Sequence, residues 1–85
     1  MDDSMTALDS IRMRAGLAQN RYGDFASTHE ALGVLIEEFQ ELQSAIHGNN
    51  IDAVRQEAFD LAAVAFRLAK ACGSESGAFF ERSVK

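Results

Sequence analysis

The sequence predicts an all-α fold: a helical bundle of about four helices, built on an antiparallel helix hairpin and completed by dimerisation. Three observations predict it. Apolar residues recur at three- and four-residue spacing through long blocks of the chain. No block shows the two-residue alternation of a half-buried strand, and Gly, Asn and Ser gather between the blocks, where caps and turns belong. With 85 residues, 47% of them apolar, 25% charged and none Pro, the chain reads as one folded domain over 1–85, not as a linker or a disordered segment. A chain this short buries only roughly 60% of its unfolded surface, so a metal or a partner subunit is expected to add to its stability.

Ser4 caps a first helix running to about Asn20, with Leu8, Ile11, Ala15 and Ala18 as its apolar stripe and Gly16 as a weak point. Arg21-Tyr22-Gly23-Asp24-Phe25 interrupts the pattern. Ser27-Thr28-His29-Glu30 then has the Ser-x-x-Glu form of a capping box, which satisfies two orphan backbone donors reciprocally. The second helix, Thr28 to about His47, carries Ala31, Leu35, Phe39, Leu42 and Ile46 at helical spacing and ends at Gly48-Asn49-Asn50. A third, Ile51 to about Cys72, has Asp52 in its first turn, Lys70 in its last and Gly73 as its stop, with both charges on the favourable side of the helix dipole. A short fourth helix with Phe79 and Phe80 is predicted over about 77–84. The third helix is too apolar for one small monomer to cover, which points to a homodimer or higher homo-oligomer.

Thirteen acidic residues against eight basic ones leave a net charge of −5. That is the wrong sign for coating a nucleic-acid polymer or an anionic membrane surface. The longest strongly apolar run, 61–66, has six residues, where a bilayer span needs about 20, so no membrane crossing is expected. A single cysteine, Cys72, allows no internal disulfide, and Met1-Asp2-Asp3-Ser4 lacks the basic start and apolar run of a signal peptide. The expected setting is cytoplasmic and reducing.

The acidic surplus is clustered. Glu37-Glu38-x-x-Glu41 on the second helix and Glu57-x-x-Asp60 on the third place carboxylates three and four residues apart, on one face of each helix. Such like-charge pairs destabilise an exposed helix by about 0.2–0.5 kcal/mol each, and by more once desolvated. The short turn predicts antiparallel helices. Counting from Asn49, Glu41 and Glu57 lie eight residues to either side and Glu38 and Asp60 eleven, which sets the two pairs at matching heights of roughly 12 and 16 Å from the turn. Asp60 falls in a stretch, 58–69, whose only other charge is Arg67, and a buried carboxylate needs a partner or a metal. Hard oxygen donors without nearby His or Cys favour Mg²⁺, or Mn²⁺, over zinc. The Glu-x-x-His pairs of a di-iron bundle and the loop of an EF-hand are both missing. The plainer reading of acidic runs is a solvated face, and the mirrored second pair argues against it.

These residues resemble the mark of the MazG-like, all-α nucleoside triphosphate pyrophosphohydrolases: Glu-Glu-x-x-Glu, followed after a dozen or more residues by Glu-x-x-Asp. Here fifteen residues separate Glu41 from Glu57. The apolar context matches as well, in Leu35-Ile36, Ala45-Ile46 and the run that follows Asp60, so that about 45 residues, 28–72, carry the resemblance. It implies Mg²⁺-dependent hydrolysis of a (deoxy)nucleoside triphosphate to the monophosphate and pyrophosphate, by a homodimer, as house-cleaning of the nucleotide pool. By position it makes Glu38, Glu41, Glu57 and Asp60 metal ligands. Glu37 and Glu38 become the catalytic carboxylates, with Glu37 binding a further metal or orienting the attacking water. The family often bears Lys and Arg near the phosphates in a C-terminal segment, where this chain offers only Arg82 and Lys85. Arg67 lies about 10 Å beyond Asp60 on nearly the same face. It either reaches the triphosphate tail or pairs with a carboxylate of the second helix. A function of another class, a non-catalytic helical dimerisation or binding module that keeps the acidic metal site, would share the fold.

Among the remaining residues, His29, His47 and Cys72 are expected in surface, helix-end and packing roles. Tyr22 and Phe25 either stack on a nucleobase or pack the hairpin. Gly33 weakens its helix by about 1 kcal/mol relative to Ala and leaves room for close approach of a helix or ligand.

Overall fold

A computed structural model describes residues 5–73, which form three helices and no strand. They are α1 (Ala7–Tyr22), α2 (Thr28–His47) and α3 (Ile51–Cys72). The expected fourth helix, Ser4, Arg82 and Lys85 lie outside the described residues. The ends of α2 and α3 agree with the capping signals, whereas α1 departs at both ends. Its cap is Thr6, whose hydroxyl accepts from Asp9 N at 3.0 Å while Thr6 N donates to the Asp9 carboxylate at 3.2 Å, closing a capping box. Its last turn continues through Arg21 and Tyr22 to Gly23, whose N–H donates to Gln19 O at 2.8 Å. Gly23 takes φ 76°, a left-handed value that a side chain would strain.

The box at the start of α2 is also rearranged. Ser27 Oγ accepts from Glu30 N at 3.0 Å as expected, but the Glu30 carboxylate accepts from Ala26 N at 2.5 Å, one residue earlier than the reciprocal pattern. At the other end Gly48 keeps a right-handed φ of −80° and Asn49 supplies the turn at φ 56°, a conformation that Asn tolerates better than most residues. Asn50 caps α3 by accepting from Ala53 N at 3.0 Å.

α3 packs against both α1 and α2, and these two do not pack on each other. The contacts are made largely by small residues: Ala15, Ala31, Ala63 and Ala71 are buried, with Phe25, Phe59 and Val64 as the larger members. Alanines let helix axes approach but remove little apolar area, and among the described residues no large side chain is fully buried. The stripe expected on α2 splits accordingly. Ala31 is buried and Leu35 and Leu42 are half-buried, while Phe39 and Ile46 stay about half exposed, at 53% and 51%. Leu8, expected on the inner stripe of α1, is exposed as well. Nor is α3 buried all round, since Ala58, Ala65 and Ala69 face solvent. Cys72 is exposed and not packed. Among the described residues nothing lies within 4 Å of a methyl group added at Gly33, so no other helix approaches closely there. No helix among the described residues is long and apolar enough to cross a membrane.

Candidate metal centre

The pairing of α2 with α3 brings three of the expected ligands together. Glu38, Glu41 and Glu57 each offer one carboxylate oxygen, and these oxygens lie within 4.8 Å of one another. Oxygens on opposite sides of Mg²⁺ are about 4.2 Å apart at its usual bond length, so small side-chain rotations suffice for the three to share an ion. Glu38 and Glu57 are half-buried and Glu41 is exposed. Glu38 Oε1 and Glu57 Oε1 are buried, and neither has a hydrogen-bond partner among the described residues. Buried carboxylate oxygens without donors are costly, and a hard divalent cation is the group that fits such a donor set.

The electrostatics point the same way. Desolvation, followed by repulsion from Glu41, Asp60 and Glu57, pushes the Glu38 carboxyl up to about 7. Glu57 is raised for the same kind of reason, first by desolvation and then by Glu41 and Asp60, with Arg14 opposing. The cluster is short of positive charge.

Asp60, the fourth expected ligand, is engaged elsewhere. Its Oδ1 accepts from Arg14 Nη1 at 2.7 Å, and its side chain is 40% exposed, so it is not the buried, unpaired carboxylate that the apolar stretch implied. Arg14 is held in turn by Gln56 O at 3.3 Å, by the Gln56 side-chain oxygen, and by the ring of Phe59, 5.1 Å away at its centroid. Asp60 remains close enough to repel Glu38 and Glu57. Sequence reasoning missed Arg14. The signal was present, since Arg14 lies three residues after Ile11 and four before Ala18, which makes it a lone cation on the inner stripe of α1.

Glu37 is exposed and stands outside the three-oxygen cluster. It lines, with Glu38 and Asp60, a cavity of about 430 Å³ between α1 and α2. Arg67 lines the same cavity and is buried, at 8% exposure. Its hydrogen bonds go to Gly23 O and to Gln19, on the α1 side, so its partner is not a carboxylate of α2. Of the two aromatic residues before α2, Phe25 joins Ala31 and Val64 in the core while Tyr22 is exposed. His29 and His47 are both exposed.

Compared with known proteins, the chain matches no family model, no curated protein and no solved structure. The two-part carboxylate motif and the geometry it takes up therefore carry the functional reading by themselves.

Proposed function

We propose that this protein is a MazG-like nucleoside triphosphate pyrophosphohydrolase, hydrolysing (deoxy)nucleoside triphosphates to the monophosphate and pyrophosphate with Mg²⁺ or Mn²⁺. The observation that carries the reading is the trio Glu38, Glu41 and Glu57, with two buried oxygens that no group among the described residues satisfies. When bound there, the cation supplies charge to stabilise the phosphoryl oxygens. Asp60, anchored by Arg14, borders the trio and completes the ligand set or supports it. Glu37, at the cavity wall, orients the attacking water and takes its proton as oxygen bonds to phosphorus and the α–β bridge breaks. The reading places the protein in the cytoplasm, where nucleotide pools need house-cleaning.

The same proposal includes the assembly. A three-residue link makes α2 and α3 an antiparallel hairpin. A second copy of the chain covers the outer face of α2, where Leu32, Ile36, Phe39 and Ile46 repeat at four-, three- and seven-residue steps and all remain about half exposed.

The test is pyrophosphate release from a panel of common and modified nucleotides with Mg²⁺ or Mn²⁺. The wild type should turn over at least one of them. Glu38→Gln and Asp60→Asn should each lower the rate, Glu38→Gln by about 100-fold or more. No release from any nucleotide by the folded protein contradicts the activity, and full activity in both variants contradicts the site.

A further inference from the structure

Because α1 and α2 do not pack on each other, α3 floors the cavity between them, whose volume of about 430 Å³ is within the range of small-molecule sites. Its two ends differ in chemistry. Glu38 and Asp60 line one, and Arg67 and the loop after α1 line the other. Asp60 and Arg67 are about 10 Å apart along α3, close to the reach of a nucleotide from its phosphates to the far edge of its base. With the phosphates at the carboxylates, the base falls at Arg67.

Arg67 is held at that end from the α1 side. Arg67 Nε donates to Gln19 Oε1 at 3.3 Å, which fixes the Gln19 side chain so that its Nε2 donates to Asp24 Oδ1 at 2.6 Å. Arg67 Nη2 donates to Gly23 O at 3.0 Å, and its guanidinium stacks on Phe25, 4.4 Å from the ring centroid. Among the described residues Arg67 Nη1 and Asp24 Oδ2 are left without a partner, and both residues line the cavity. The lining of the cavity thus carries a donor from Arg67, a residue nine-tenths buried, and an acceptor from Asp24.

Resting on the nucleotide-hydrolase reading, we infer that Arg67 and Asp24 select bases with a carbonyl beside a ring N–H (guanine, uracil, thymine) over those with an amino group beside a bare ring nitrogen (adenine, cytosine). Guanine O6 and uracil or thymine O4 accept from Arg67, while the adjacent ring N–H donates to Asp24. Adenine and cytosine present an amino donor where the keto bases present the carbonyl. They set donor against donor and acceptor against acceptor, a mismatch that a hydrogen-bonding site rejects strongly. Tyr22, 69% exposed at the rim, offers its ring to any base and adds affinity without discrimination.

The experiment is equilibrium binding of GMP, UMP, AMP and CMP to the full chain with Mg²⁺, by calorimetry. These ligands have no α–β bond to hydrolyse, so the outcome is independent of turnover. GMP and UMP are expected to bind at least about tenfold more tightly than AMP and CMP. Asp24 is exposed, so Asp24→Asn leaves the fold intact. Gln19 continues to hold the amide oxygen, the amide NH₂ replaces Oδ2, and the preference falls to within about threefold or inverts. Equal binding of all four, no binding of any, or an undiminished keto preference in Asp24→Asn overturns the inference. Hydrolysis of triphosphates without base preference would leave the proposed activity standing and remove this selectivity alone. A keto preference without any hydrolysis would do the reverse.

Discussion

Without metal, the protein is expected to melt about 4–8 °C higher at pH 5.5 than at pH 8, and Glu38→Gln is expected to remove most of that difference. The Glu38 carboxyl is the source of the effect, its folded value raised from 4.5 to about 7 by desolvation and by three neighbouring carboxylates. A group whose folded pKa exceeds its unfolded one holds its proton more tightly in the folded state. Its contribution to stability is therefore full below about 4.5 and is lost as pH rises through about 7. Solvent screening around a half-open site limits the effect to roughly 1 kcal/mol, and Glu57, raised in the same direction, adds to it. Gln has the shape of a protonated Glu and no charge to lose. The variant should thus gain stability at pH 8 while losing the activity, as expected where charges have been crowded together for a function and not for folding. Melting curves at the two pH values, with and without chelator, decide the matter. A flat wild-type profile would show that the cluster is not electrostatically strained.

Ile36→Glu combined with Phe39→Glu is expected to convert a dimer into monomers in sedimentation equilibrium. Leu32, Ile36, Phe39 and Ile46 are each about half exposed, so covering them yields about 1 kcal/mol per side chain, or about 8 kcal/mol over two copies. Association itself costs an estimated 4–15 kcal/mol. Two of these four apolar side chains replaced by like charges in each copy remove about half of the gain and add repulsion across the contact. A monomeric wild type at high concentration would contradict the assembly.

Much of this was legible in the residues, for identifiable reasons. The bounds of α2 and α3 follow from local chemistry, with Ser27, Asn49, Asn50 and Gly73 all acting within a few positions of the ends they define. Counting from Asn49 placed Glu38, Glu41 and Glu57 close together, because rise per residue is a property of any helix. Asp60 satisfied the same count but went to Arg14, 46 residues away in sequence, since helical rise sets height whereas rotation and partner choice depend on packing between distant segments. Arg67 differs for the same reason. Its burial is consistent with the apolar stretch around it, but its bonds to Gln19 and Gly23 depend on where α1 docks on α3. On α1, Thr6 and Asp9 formed the capping box that marks the start, a Thr-x-x-Asp variant of the Ser-x-x-Glu pattern read at α2.

The central claim is that Glu38, Glu41 and Glu57 hold a divalent cation, and calorimetric titration of the metal-free protein with Mn²⁺ and Mg²⁺ tests it most directly. Saturable binding is predicted for the wild type, with affinity at least about tenfold weaker in Glu57→Gln and a melting temperature that rises with ion concentration by mass action. The absence of saturable binding, or equal affinity in Glu57→Gln, would contradict it.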